Sequence, residues 1–128
     1  MTPDPPPDIG VPAAWLASRL AASPPDLARA IEEQIASRTP DGELTSFGLA
    51  SRGIDIFERV SRSSQTRAAA LALLAADALI TYAFESAADP EIGGSAVAAT
   101  ALAAQVGPRG ELGRRAARSP RAEEEAET

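Results

Sequence analysis

The chain contains no cysteine, no histidine and no lysine. Without cysteine it cannot form a disulfide or a thiolate metal site, and without histidine it has no imidazole ligand and no histidine-dependent catalytic triad. Any catalysis would have to use carboxylates, arginines, hydroxyl groups or the single tyrosine, Tyr82. The sequence therefore predicts no cofactor, no metal and no catalytic residue.

Aromatic residues are also scarce, with five in 128 residues, and alanine supplies much of the 45% hydrophobic content. A chain of this length can form one domain with a modest core. Alanine buries little apolar area, and each Å² buried stabilises the fold by only about 25 cal/mol. Such a core predicts either marginal stability or support from an oligomer.

The charge is acidic and unevenly distributed. Residues 1–108 hold thirteen acidic residues and seven arginines, whereas residues 109–128 hold five of each. An acidic body disfavours nucleic acid as a partner, because phosphate binding needs a basic face. The N-terminal MTPDPPPDIG lacks the basic and apolar regions of a secretory signal, so we expect a soluble, cytoplasmic protein.

The distribution of proline, glycine and apolar residues predicts an all-α fold, a small bundle of four to five helices between disordered tails. Residues 1–11 read as a proline-rich flexible tail, 12–108 as one helical domain, and 109–128 as a disordered tail rich in arginine and glutamate. The five predicted helices cover about 12–22, 23–38, 41–60, 65–88 and 92–106. In the third, Leu44, Phe47, Ile54 and Phe57 form one apolar stripe, and Gly53 suggests a kink or a close helix contact.

The predicted helix 65–88 carries apolar residues around its whole circumference. Such a helix is buried in a bundle, in an oligomer or in lipid. A membrane hairpin with residues 92–106 is disfavoured, because fifteen residues span only about 22 Å and an aspartate at a helix centre opposes insertion. We therefore expect a homo-oligomer or a protein partner, with candidate interface residues Leu73, Leu74, Ile80, Tyr82 and Phe84.

Three polar residues interrupt this helix at intervals of four, namely Asp77, Thr81 and Glu85. They lie on one helical face, where Asp77 and Glu85 could hold a divalent cation with help from Asp55 or Glu58. The two carboxylates stand about 12 Å apart along the axis, however, which is too far to share one ion directly. The simpler interpretation is a buried polar group at Asp77 that pairs with an arginine or a hydroxyl and specifies helix register.

The segment ADALITYAFE, residues 76–85, resembles the helix of trans-polyprenyl diphosphate synthases that carries a GDAL…AFE pattern. In that family the segment is structural, and aspartate-rich DDxxD motifs bind magnesium and diphosphate. The resemblance covers about ten residues, and the chain contains no DDxxD motif. It therefore transfers no catalytic residue to this chain.

Three function classes follow from these patterns. The preferred one is a non-catalytic interaction or assembly module, because a small core and a helix apolar on all sides leave apolar surface to share. The second is a cation-dependent enzyme, or a fragment of one, that uses Asp77 and Glu85. The third is a carrier of apolar small molecules, held in alanine-lined space between the last two helices.

Overall fold

The computed structural model describes residues 7–36, 44–60, 66–107, 110 and 112–114. Predictions that concern residues 1–6 and 115–128 lie outside this range. Five α-helices occupy the described chain: α1 (Ala13–Ala21), α2 (Pro25–Ala36), α3 (Ser46–Val60), α4 (Arg67–Ala88) and α5 (Ala96–Val106), with a short 3-10 turn at Pro90–Ile92. The predicted all-α bundle of four to five helices is confirmed.

Local capping explains where the last two helices begin. The Thr66 hydroxyl accepts a hydrogen bond from the Ala69 amide at 3.0 Å and caps α4. The sequence also offers Ser63 or Ser64 as a candidate cap, and both lie outside the described residues. The Ser95 hydroxyl likewise accepts from the Ala98 amide at 3.0 Å and caps α5. Gly93 and Gly94 lie in the connection that precedes this cap.

The core centres on the contact between α3 and α4, which is the most extensive between any two described helices. A Cβ atom at Gly53 would stand 2.6 Å from Ile80 Cγ1 and 2.8 Å from the Ala76 carbonyl oxygen. Glycine is therefore required for this close approach of the two helices. Of the two explanations that the sequence offered for Gly53, the close helix contact is the one observed.

The apolar stripe predicted for the third helix packs against the core except at one residue. Leu44, Phe47 and Ile54 are partly buried against the core, whereas Phe57 is exposed. The buried residues of α3 are Ser46, Leu49, Ala50, Gly53 and Ile56.

Both predicted tail boundaries need correction. Residues Ile9 and Val11 lie within the predicted N-terminal tail, yet they pair with the start of α3: the Val11 amide donates to the Leu44 carbonyl at 2.8 Å and the Ser46 amide to the Ile9 carbonyl at 2.9 Å. Leu112 lies within the predicted C-terminal tail, yet it is fully buried. Backbone hydrogen bonds and the buried Val11 hold the N-terminal segment to the core, and the buried Leu112 holds the C-terminal one.

Candidate docking surface on the central helix

The outward face of α4 is a continuous stripe of exposed residues spaced three or four positions apart. Its members are Arg67, Ala70, Leu74, Asp77, Thr81, Glu85 and Ala88. The opposite side is fully buried and carries mostly small residues, with Ala75, Ala76, Leu79 and Ala83 at zero exposure. The other helices therefore cover α4 on one side and leave the outward stripe open.

Asp77 and Thr81 lie on this outward stripe and are exposed. The Thr81 hydroxyl donates to the Asp77 backbone carbonyl at 2.9 Å. This bond lies within the helix and connects neither side chain to another helix. Among the described residues none forms an ion pair with the Asp77 carboxylate. The expectation of a buried polar group at Asp77 is thus wrong for the single chain, because the neighbouring helices pack on the other sides of α4.

Glu85, the third member of the predicted polar set, joins α4 to α1. Its Oε2 accepts a hydrogen bond from Arg19 Nε at 2.8 Å, and both side chains are about two-fifths exposed. The Arg19 guanidinium also lies 4.5 Å above the centre of the Trp15 ring. Exposed ion pairs stabilise little, although stacking on an aromatic ring adds to this one. Glu85 therefore has a structural partner of its own.

A second contact between α1 and the end of α4 forms at Asp89. The Trp15 indole nitrogen donates to Asp89 Oδ2 at 2.8 Å, and the Glu91 amide donates to Asp89 Oδ1 at 2.9 Å. The bond from Trp15, then that from the Glu91 amide, lower the pKa of the Asp89 carboxyl below its ordinary value, with a smaller contribution from Arg19. Both carboxylate oxygens of Asp89 and the Trp15 indole N–H have partners within the chain, so we interpret the cluster as structural.

Tyr82 belongs to the same junction and not to an interface. Its side chain is buried, its ring meets the edge of Trp15 at 6.4 Å between centroids, and its hydroxyl lies 3.0 Å from Ser23 Oγ. Ile80 is partly buried and stands against Gly53, and Phe84 is partly buried against the core. Of the five predicted interface residues, only Leu73 and Leu74 are exposed, at 37% and 56%.

An apolar surface surrounds these two leucines. We define the Leu74 patch as Leu73, Leu74, the exposed Ala70 between them on the helix surface, and Phe57 of α3, which is 57% exposed. Phe57 belongs to the apolar stripe that the sequence predicted for the third helix. Exposed large apolar side chains that cluster are uncommon on a monomer and mark surfaces for interaction.

The register between α3 and α4 places Phe57 beside the leucines. The hydroxyls of Ser46 and Ser86 are 2.7 Å apart near the start of α3 and the end of α4, and Gly53 contacts Ala76 and Ile80. The two helices therefore run antiparallel, and one further turn of α3 brings Phe57 level with about residues 72–76. Phe57 also follows Gly53 by four positions, so it lies on the face of α3 that meets α4.

The described residues contain no group of three or more histidine, cysteine, aspartate or glutamate residues placed to hold a metal ion. Asp77 and Glu85 lie on the same exposed face, and Glu85 is already paired with Arg19. No arrangement of acid, base and nucleophile is formed around them in the described chain. Among the described residues, Asp77 and Glu85 thus belong to no group of three candidate ligands that could hold a cation.

An open apolar groove of about 470 Å³ lies between α1 and α2. Leu16, Leu20 and Ile35 line it, with Leu44 at one end and Glu32 as its one charged lining residue. This is a different place from the alanine-lined space between the last two helices that the carrier hypothesis used.

Among the described helices, α4 is the one with sufficient length and apolar character to cross a membrane, although only 28% of its most apolar stretch is buried in the fold. The core helix of a soluble bundle meets the same criteria. The outward stripe of α4 carries Arg67, Asp77 and Glu85, and charged side chains are costly at the centre of a bilayer. Length and composition therefore do not assign α4 to a membrane.

Comparison with known proteins gives no guide to function: no protein-family model, no curated protein and no solved structure matches this chain. A function has to be inferred from the surface of the molecule itself. The Leu74 patch is the part of that surface where large apolar side chains are exposed together.

Proposed function

We propose that this chain is a non-catalytic assembly module that binds a second copy of itself through the Leu74 patch. The observation that carries the proposal is the exposure of α4. Only 28% of the residues in its most apolar stretch are buried within the fold, and Leu73 and Leu74 are exposed, although a helix of this composition is stable in water only when its surface is covered. A second copy supplies a cover of the same chemistry, as in most soluble oligomers.

The small core supports the same proposal. Alanine and serine make up more than half of the fully buried residues, and the large ones are Ile31, Leu49, Ile56, Leu79 and Leu112. Small domains with little buried area are often supported by association, which stabilises the folded state by mass action. Burial of the Leu74 patch between two copies would add large apolar side chains to a core that has few of them.

The experiment compares two substitutions of exposed apolar residues. Leu74→Gln alters the patch, whereas Val97→Gln alters an α5 residue that is 70% exposed and lies outside it. Light scattering should find the parent chain and Val97→Gln associated at micromolar concentration, and Leu74→Gln as a monomer with the same helix content. Circular dichroism measures the helix content.

Two results would contradict the proposal. One is a parent chain that stays monomeric throughout the accessible concentration range. The other is equal association of the parent and Leu74→Gln, because the patch would then not be the contact surface. Binding of the parent chain to lipid vesicles in place of self-association would count against a protein partner in the same way.

A further inference from the structure

The order of residues along the outward stripe of α4 suggests how two copies meet. Arg67, Ala70, Leu74, Asp77 and Thr81 follow one another at intervals of three, four, three and four, and all are exposed. This alternation is the spacing of helices that pair side by side, since it keeps one narrow seam facing the partner. The stripe therefore has the geometry of a helix-pairing seam as well as exposed apolar residues.

The charges and side-chain sizes along this seam are arranged in a complementary way about position 72. A cation, Arg67, lies five residues before position 72, and an anion, Asp77, lies five residues after it. The small Ala70 and the large Leu74 lie two residues to either side of the same position. The seam is thus complementary to its own reverse, as a contact related by a twofold axis requires.

We propose that α4 pairs antiparallel with α4 of a second copy about a twofold axis level with residue 72, an inference that rests on the proposed function. Each Arg67 then faces Asp77 of the second copy, and each Ala70 faces Leu74 of the second copy. Two ion pairs enclose two apolar layers in which a large side chain meets a small one. Leu73 of each copy flanks the axis.

The polar residues that follow Asp77 on the outward stripe are consistent with this register. Thr81 would lie level with a position that precedes the start of the second copy's α4. Glu85 would lie further beyond the end of that helix, where it keeps its bond to Arg19. The apolar Ala70 and Leu74 thus lie within the covered part of the stripe, and the polar Thr81 and Glu85 lie outside it.

The charges on the seam exclude the parallel alternative. A parallel pair in register would set Arg67 against Arg67 and Asp77 against Asp77, and like charges in contact oppose association. In the single chain Arg67 lies 3.9 Å from Asp26, with side chains 94% and 68% exposed. Such an exposed pair stabilises little, so the guanidinium remains available to Asp77 of the second copy.

Charge exchange tests the register. By symmetry Arg67→Asp or Asp77→Arg places two repulsive pairs in each dimer, and we expect the dissociation constant to rise at least about tenfold. The double variant Arg67→Asp/Asp77→Arg restores both pairs and the net charge, and should return the constant to within about threefold of the parent. Glu91→Arg matches the charge change of Asp77→Arg at an exposed residue off the seam and should have little effect.

Cysteine cross-linking gives a second test, because the parent chain contains no cysteine. A mixture of Ala70→Cys and Leu74→Cys chains should form cross-linked heterodimers faster than either variant forms homodimers. Parallel pairing would reverse that order. Ala88→Cys, exposed on the same face but outside the paired segment, should cross-link slowly.

The outcomes separate the two proposals. A monomeric parent chain overturns both. An associated parent that is indifferent to the single charge reversals, or that the double variant fails to rescue, overturns the antiparallel register and leaves self-association through the patch intact. Rescue by the double variant together with preferential 70–74 cross-linking supports the register.

Discussion

Substitution of Gly53 by alanine tests the packing on which the bundle depends. The added Cβ would stand 2.6 Å from Ile80 Cγ1 and 2.8 Å from the Ala76 carbonyl oxygen. The Ile80 side chain can rotate, but the Ala76 oxygen belongs to the backbone of α4 and cannot yield unless the helices separate. Overpacking usually costs about 1 to 3 kcal/mol, and a backbone obstacle places this substitution in the upper part of that range, at about 2 to 3 kcal/mol.

The helix propensity of alanine offsets part of this cost. Alanine is better than glycine within a helix by about 1 kcal/mol, so we expect a net loss of about 1 to 2 kcal/mol in the free energy of unfolding. For a domain of this size, that loss corresponds to a decrease of about 5 to 15 °C in Tm. Thermal and urea unfolding followed by circular dichroism at one fixed protein concentration would measure it.

Gly48→Ala is the matched control in the same helix. Its Cβ would meet only the Thr45 hydroxyl, at 3.2 Å, and a side chain can adjust by a few tenths of an ångström. We expect a change within about 1 kcal/mol of the parent. If Gly53→Ala were as stable as the parent, the close contact between α3 and α4 at this position would be refuted.

Three further predictions follow from other contacts. Asp89→Asn should lower the free energy of unfolding at pH 7, and the variant should lose less stability than the parent as the pH falls below the ordinary carboxyl pKa of 3.8. The reason is that a carboxyl whose pKa is lowered in the folded state stabilises the fold above that pH range and not below it. Urea midpoints that shift equally in parent and variant between pH 7 and pH 3 would contradict this. Ser86→Ala should cost about 1 to 2 kcal/mol, since its buried hydroxyl lies 2.7 Å from Ser46 Oγ. The double variant with Ser46→Ala should cost less than the sum of the single changes; strict additivity in urea unfolding would argue against the bond. Added Mg²⁺ should leave Tm unchanged, and a rise in Tm that Asp77→Asn abolishes would instead favour the cation hypothesis.

The positions of the helices could be predicted because local residues determine them. Asp89-Pro90 ends α4, Ser95 caps α5 and Gly107 closes it, and each acts on its immediate neighbours. Gly53 signalled a close contact for a similar reason, since a glycine inside a helix needs a compensating role. Capping and breaking signals lie in the sequence itself.

The orientation of α4 could not be predicted in the same way. Alanine occupies its fully buried side at Ala75 and Ala83 and its exposed side at Ala70 and Ala88. A helix with the same small residue on both sides has little contrast in hydrophobicity, so its pattern does not show which side faces the core. Asp77 was assigned to the interior for this reason.

The junction between α1 and α4 was missed because its partners are distant in sequence. Trp15 and Asp89 are 74 positions apart, and Ser23 and Tyr82 are 59 apart. The sequence did indicate that these two side chains need hydrogen-bond partners, because a buried tryptophan N–H and a buried tyrosine hydroxyl usually have one. The sequence did not show which of the available acceptors the fold would bring close.

Sedimentation equilibrium of the unmodified chain tests the central claim most directly. Measured from about 1 μM to about 500 μM, a range that covers modest affinities, the mass should rise from the monomer value of 13.2 kDa toward twice that value. A mass that stays at 13.2 kDa over the whole range would contradict it, since the outward face of α4 would then remain uncovered in solution.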